Sequence, residues 1–320
     1  MFNDIDIYKS ENIFLDLNKM FWFSMKELNF FTMSKRWKYK KLTILKRDGW
    51  KRILYSPVYK LKKAQRIILN VILYEESKRL LVDNVTWFIP WKCIKDNAMF
   101  HTWKKYILKI DIKDFFPSIT QDRIYWLLRK EYNLDHSTSS YISSLCCYNN
   151  QLPQWAPTSP ILANLIARFL DYKILWLLKT YNQKDWLNLT YSRYADDLTF
   201  SFNDKINVNW LINYIVSILI EEWFYPNYKK IHLISSWKQQ KVTWIVVNNK
   251  AWVWRKYYKK IKSILYNISK NWIDKEVQKW NKEKNNNINQ DKFRQILKGY
   301  ISFINDISPE YYEKLIWYNI

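Results

Sequence analysis

Two pairs of aspartates stand out as residues able to do chemistry. Asp196 and Asp197 are adjacent in YADD (194–197), and Asp111 lies near the end of the apolar run YILKIDI (106–112) with Asp114 two residues beyond it. Adjacent acids are common in ordinary turns, so YADD alone is a weak signal. An aspartate closing a buried strand is more telling, because its desolvation is unfavourable unless a cation or hydrogen bonds compensate. If the strands carrying Asp111 and Asp197 lie side by side, Asp111, Asp196 and Asp197 form a cluster suited to a hard, oxygen-seeking cation such as Mg²⁺. Two such ions about 3.5–4 Å apart would activate a 3′ hydroxyl and stabilise a leaving pyrophosphate.

Those carboxylates need elements to position them. YILKIDI has the length and apolarity of a buried strand, and it runs through DFFPSIT into a helix that Thr120 would cap. LTYSRY and DLTFSF read as two strands around a short Ala-Asp turn. KRDGWKRILYSP (46–57) suggests a hairpin turning at Asp48-Gly49, followed by a helix through KLKKAQRIILNVILYEESKRL. Ser159 before Pro160 is a helix start, and the helix is expected to run through ILANLIARFLDYKILWLLK. Its apolar residues, Ile161, Leu162, Leu165, Ile166, Phe169 and Leu170, recur at helical spacing, while Arg168 and Asp171 exclude a membrane span. INVNWLINYIVSILIEEW reads as another helix and KVTWIVV as a strand. Residues 1–48 are basic and aromatic with helical patches such as FWFSMKELNFF, and NKEKNNNINQ (281–290) is a surface loop. Strands with an antiparallel hairpin among helices give an α+β fold.

Composition narrows the partners. The chain has 320 residues, with 52 Lys plus Arg against 29 Asp plus Glu and a net charge of +23. Combined with 18% aromatic residues, that excess suits phosphate neutralisation and base stacking. The three cysteines, one pair of them adjacent, favour neither a disulfide framework nor a zinc site and fit a reducing cytoplasm. No signal peptide or membrane span is expected. Glycine is the anomaly: there are 2 glycines and 19 tryptophans, where average usage of about 7% predicts roughly 22 glycines. The abundance of Lys, Asn, Ile and Tyr indicates an A- and T-rich coding sequence, which should lose UGG. The tryptophans then make sense as UGA codons, which some genetic codes read as Trp and others as Gly.

Four stretches in order, KIDIKDFFPSIT, LPQWAPTSPILANL, YSRYADDLTFS and EEWFYPNYKK, resemble motifs A to D of reverse transcriptases. NAMFH (97–101) matches an NAxxH motif, and VTW (242–244) stands where the reverse transcriptases of bacterial retrons have VTG. The resemblance spans most of the chain and implies a right-hand polymerase fold, with fingers and palm over residues 1–248 and a helical, RNA-binding thumb over 249–320. It implies that Asp111, Asp196 and Asp197 hold two Mg²⁺ ions and that Lys230 is the proton donor to pyrophosphate. Lys51 and Arg52 would reach the nucleotide triphosphate, Gln154 would contact the incoming nucleotide, and Phe116 would screen against a ribose 2′-hydroxyl. Asn97, His101, Val242, Thr243, Arg255, Lys256 and Lys259 would serve RNA recognition. For each residue the competing reading is structural: core packing for Phe116, a satisfied internal His101, solvated lysines on the surface.

The family implies dNTP substrates, a cognate structured noncoding RNA with its DNA copy, and an effector protein in phage defence. A group II intron or diversity-generating enzyme and a catalytically impaired nucleic-acid-binding scaffold are the alternatives. The departures concentrate at tryptophan. Trp50, Trp87, Trp91, Trp103, Trp155, Trp223, Trp244, Trp252 and Trp254 occupy positions where the family has glycine. Such consistency points to glycine misread from UGA, with Trp22, Trp126 and Trp210 left as candidate genuine aromatics.

Overall fold

The computed structural model describes Lys26 and residues 30–32, 38–45, 49, 51–185, 188–270 and 272–318. Strands β1 (Tyr39–Leu45) and β2 (Lys51–Pro57) pair antiparallel, with Leu45 opposite Lys51. Gly49 in their connection has φ +83°, a left-handed conformation open to glycine without strain. Asp48 and Trp50 lie outside the described residues, as does Trp22.

The helix expected after this hairpin is present but not regular. Helix α1 (Tyr59–Ile67) passes through a π-helical stretch (Ile68–Leu73) into α2 (Tyr74–Leu80). The wider turn still buries Ile68, Leu69, Ile72 and Leu73 on one side. Helix α3 (Ile94–Met99) carries the start of NAMFH.

Strand β3 (Tyr106–Lys113) is the centre of the main sheet. One edge pairs antiparallel with β5 (Asp197–Phe202), which pairs in turn with β4 (Thr190–Tyr194). Its other edge pairs with β6 (Tyr225–Pro226) and β7 (His232–Ser235). Partners on both edges satisfy its backbone, and helices packed over the sheet faces bury its apolar side chains. Ile107, Leu108 and Ile110 are fully buried, each worth about 1.5–3 kcal/mol over an exposed position.

Helices cover the sheet. Thr120 caps α4 (Gln121–Glu131) through its hydroxyl, which accepts from the Arg123 amide, and α5 (His136–Cys146) packs beside it. The long helix expected from Ser159 is two: α6 (Ser159–Ile166) and α7 (Arg168–Asp185), divided at Ala167. Thr158, not Ser159, precedes α6, and Pro160 sits in its first turn. Every residue of α6 is buried. Asn207 caps α8 (Val208–Glu221).

KVTWIVV is a hairpin and not a single strand: β8 (Lys241–Val242) and β9 (Ile245–Val246) enclose a two-residue turn. Helices α9 (Arg255–Lys270), α10 (Ile273–Lys284), α11 (Gln290–Ile307) and α12 (Pro309–Ile316) follow. Their apolar faces form a second buried cluster, which also takes in Val242, Ile245, Ala98 and Ile107. Among the described residues no helix is long and apolar enough to cross a membrane.

The tryptophans divide by backbone conformation. Trp91, Trp103, Trp223 and Trp244 have φ of 66°, 59°, 59° and 74°, a region that bulky side chains rarely enter. Their indoles are 92%, 69%, 72% and 76% exposed, so packing does not compensate. Trp87, Trp252 and Trp254 are not at positive φ and make ring or cation contacts. Trp126 is exposed on α4 and is therefore not a core aromatic, whereas Trp210 packs on Tyr181 at 4.4 Å.

Candidate active site

The antiparallel register sets Asp111 of β3 directly opposite Asp197 of β5. Asp196 lies in the two-residue turn before Asp197, and its carbonyl accepts from the Ile112 amide at 2.9 Å. The three acids thus stand at one end of the sheet's two central strands. Asp114 sits just beyond, at φ 48°. Burial pushes the Asp196 carboxyl above its ordinary range, and the negative charges of Asp111 and Asp197 push it further.

Cations of the chain itself occupy two of the acids. Lys230 Nζ donates to Asp111 Oδ2 at 2.8 Å, and Asn227 Nδ2 to Asp111 Oδ1 at 3.3 Å. Lys109 Nζ donates to Asp197 Oδ2 at 3.2 Å. Among the described residues no three acidic, His or Cys side chains form a finished metal cage. The expected cluster is therefore brought together by the backbone, while its side chains are drawn onto lysines. Burial and two neighbouring negative charges make the ionised Asp196 carboxylate unfavourable, and the added positive charge of a divalent cation would offset both.

The residues expected on the nucleotide side lie on β2, in the 152–158 loop and just after β3. Gln154 shares a cleft with Ile53, Tyr55, Pro117 and Tyr148, so the β1–β2 hairpin faces the 152–158 loop. Lys51 and Arg52 are exposed at the start of β2. Phe116 is partly buried, its ring 5.8 Å from Trp87 and 5.6 Å from Phe115. Trp155 is 52% exposed.

Four residues expected to serve RNA recognition are internal. Asn97, His101, Val242 and Thr243 are buried, so in this conformation they have no surface to offer RNA. His101 bridges β4 and β5, with Nδ1 2.8 Å from Ser201 Oγ and Nε2 2.7 Å from Ser192 Oγ. Burial, helped by Lys104 and Lys109, lowers its pKa to about 3, and the ring is neutral. Asn97 Oδ1 accepts from Thr86 Oγ1, and Thr243 Oγ1 donates to the Ile94 carbonyl. NAMFH and VTW are joints between sheet, α3 and the β8–β9 hairpin. Arg255, Lys256 and Lys259 are exposed on α9.

The reverse transcriptase (RNA-dependent DNA polymerase) family matches residues 44–249. The retron Ec86 reverse transcriptase of Escherichia coli is 32% identical over 256 residues, covering 79% of this chain and 77% of that protein. The retron Ec73 reverse transcriptase of Escherichia coli is 32% identical over 292 residues, covering 86% and 85%. This chain belongs to the retron reverse transcriptases. A further relative, the retron Mx162 reverse transcriptase of Myxococcus xanthus, is 33% identical; the match covers 73% of this chain and 51% of that longer protein. A telomerase of Candida albicans, solved with a telomeric RNA fragment, overlays at TM-score 0.48 and 11% identity across 92% of this chain and 62% of that one; the family assignment stays with the sequence matches.

As a retron reverse transcriptase the protein is an RNA-directed DNA polymerase with the right-hand fold, acting on an RNA template and nucleotides with a divalent metal. Sequence reasoning missed Lys109, Asn227 and Arg193 at its site. The available signal for Lys109 was a cation inside the largely apolar run YILKIDI, which calls for a paired partner; the polar strand TYSRY carried no such signal for Arg193.

Proposed function

We propose that this enzyme copies part of a structured noncoding RNA into single-stranded DNA, priming from an internal 2′-hydroxyl to leave a branched RNA–DNA product, and that it works with an effector in phage defence. The observation supporting polymerisation is the facing of Asp111 and Asp197 across adjacent strands, with Asp196 in the turn between β4 and β5. The retron assignment supports the choice of template.

In this reading Asp111, Asp196 and Asp197 hold two Mg²⁺ ions. When bound, these supply charge that lowers the pKa of the attacking hydroxyl and offsets the charge of the leaving pyrophosphate. Lys230, already hydrogen-bonded to Asp111, is close enough to the reacting end to protonate the pyrophosphate as it leaves. Gln154 orients the incoming nucleotide from its cleft, and Lys51 and Arg52 meet the triphosphate from β2. Phe116 presents a ring that excludes a 2′-hydroxyl. We assign residues 1–248 to fingers and palm and 249–320 to the thumb. There Arg255, Lys256 and Lys259 neutralise RNA phosphates, while Asn97, His101, Val242 and Thr243 act from inside by fixing the hairpin and α3.

The test is expression of the chain with the noncoding RNA encoded beside its gene. Branched single-stranded DNA, sensitive to debranching and absent from the Asp196→Asn/Asp197→Asn variant, is the expected product. RNA-templated dNTP incorporation on any hairpin, without preference for the cognate RNA, would leave a reverse transcriptase but overturn the template assignment.

A further inference from the structure

The turn that carries Asp196 is held from behind by a buried charge network. Arg193 and Asp171 are both completely buried. Arg193 Nε donates to Asp171 Oδ1 at 2.8 Å and Nη2 to Asp171 Oδ2 at 2.7 Å, a two-pronged pair. The remaining nitrogen, Nη1, donates to Asn164 Oδ1 at 3.0 Å and to the Ala195 carbonyl at 3.3 Å. Asp171 also accepts from the Tyr191 hydroxyl at 2.7 Å. Asn164 reaches onward, donating to the Trp87 carbonyl at 2.7 Å.

The geometry matters because of where each partner sits. Ala195 is the first turn residue, at φ 57°, a conformation a non-glycine residue keeps only when its surroundings insist. Its carbonyl is gripped by Arg193 on one side of the turn, while the next carbonyl, that of Asp196, is gripped by the Ile112 amide on the other. Asn164 lies on α6, the helix that follows the loop bearing Gln154, and Asp171 lies on α7. A planar guanidinium is the one side chain that can pair a carboxylate with two nitrogens and still direct a third elsewhere.

We propose that Arg193 is a positioning residue for the catalytic turn. It locks Asp196 and Asp197 at a fixed place relative to α6, and hence the metal-binding acids relative to the nucleotide loop. The assignment rests on the polymerase reading of the site. Arg193 touches no substrate. Its effect passes through the Ala195 carbonyl, and Asp171 serves to orient and neutralise it.

Removing Arg193 alone would strand a buried carboxylate and could unfold the chain, so the decisive variant removes both charges. Asp171→Leu/Arg193→Met keeps the volume and leaves no unpaired ion, an exchange that buried pairs often tolerate. Arg193→Lys keeps the charge and one prong but not the fork. Hydrogen–deuterium exchange of the metal-free, RNA-free chain reads the turn directly. The double variant should exchange about tenfold faster at 194–198, with 106–110 and 255–270 unchanged. Its Mg²⁺ requirement for single-nucleotide addition should rise about tenfold and kcat should fall further than the dNTP KM changes. Arg193→Lys should lie between it and the parent on both measures.

If the double variant melts like the parent and shows parental exchange at 194–198 with a parental Mg²⁺ requirement, the proposal is wrong. It is equally wrong if Arg193→Lys matches the parent throughout, because the fork would then be unnecessary. A parent that binds RNA yet adds no nucleotide would defeat the polymerase reading instead. The exchange measurement, made without substrate, would still decide the clamp.

Discussion

Among the described residues two hairpins have two-residue turns, and they are held by opposite means. In β4–β5 the turn is Ala195-Asp196, with only Ala195 at positive φ. Arg193 and the Ile112 amide fasten its two carbonyls to the surrounding structure. In β8–β9 the turn is Thr243-Trp244, and both residues are at positive φ, 45° and 74°. Thr243 is tied to Ile94, but Trp244 projects an indole that is 76% exposed. The first turn is imposed by tertiary contacts and can afford ordinary residues. The second has the backbone of a type I′ turn, which relies on residues that adopt positive φ without cost. A β-branched residue followed by tryptophan is a poor choice there, and glycine at 244 resolves the conflict.

The largest expected effect breaks the first hairpin's chemistry. Asp196→Asn/Asp197→Asn should reduce primer extension by at least about 10³-fold, since several kcal/mol of charge stabilisation are lost. RNA affinity, measured by filter binding, should stay within about twofold of the parent because the basic surface is untouched. Near-parental extension by this variant would remove the aspartates from the mechanism.

The next effect concerns the histidine under the same hairpin. His101 has a folded pKa of about 3 against roughly 6.5 in an unfolded chain. Between those values the unfolded state binds the extra proton, so stability is fully present above about pH 6.5 and declines as pH falls toward 3. At about pH 4.5 this one group should have cost roughly 2–3 kcal/mol, seen as a fall in urea midpoint. His101→Gln should flatten that part of the curve, and an unchanged slope would contradict a buried neutral imidazole.

Reversing charge beyond the second hairpin should be felt in binding. Arg255→Glu/Lys256→Glu/Lys259→Glu should weaken RNA binding by about 10–100-fold and reduce the salt slope by roughly three phosphate contacts. Extension on saturating template should change much less. Unaltered affinity and salt slope would move the RNA track off α9.

The smallest effect sharpens the comparison itself. Trp244→Gly should stabilise the chain by about 1–2 kcal/mol by relieving positive-φ strain, and Trp91→Gly, Trp103→Gly and Trp223→Gly should act in the same direction. Trp252→Gly should not, because its ring packs on Tyr311 at 4.6 Å and its φ is not positive. Mass spectrometry of the natural protein gives the direct answer: glycine masses at 91, 103, 223 and 244 are expected, and tryptophan masses would refute the UGA reading.

Much of the catalytic end was legible in the sequence because its signals are local. An apolar run ending in aspartate is a strand, Ala-Asp between such runs is a turn, and Thr120 before an amphipathic run is a cap. The β8–β9 turn was not legible, because Thr-Trp carries no turn chemistry and KVTWIVV then reads as one strand. The break at Ala167 was hidden by continuous helical periodicity. The pairing of Arg193 with Asp171 was invisible for a different reason. It joins a strand to a helix 22 residues away, and only the tertiary fold selects that partner among the chain's many acids. Likewise nothing in NAMFH decides between an RNA contact and an internal role for His101 and Asn97, because the polar atoms that answer theirs, on Ser192, Ser201 and Thr86, come from other segments.

Strand β3 is flanked on both edges, by β5 on one side and by β6 and β7 on the other. Amides in such a strand become exposed only when neighbours on both sides have peeled away, so they belong to the slowest-exchanging set. Asp111 is therefore expected to sit on the part of the molecule that comes apart last. Under gentle denaturation the α9–α12 helices and the β1–β2 hairpin should open first, and RNA capture should disappear while the catalytic end is still assembled. A stressed preparation would then consist of chains that have lost their template before they have lost their active site, and refolding the periphery would be enough to restore activity.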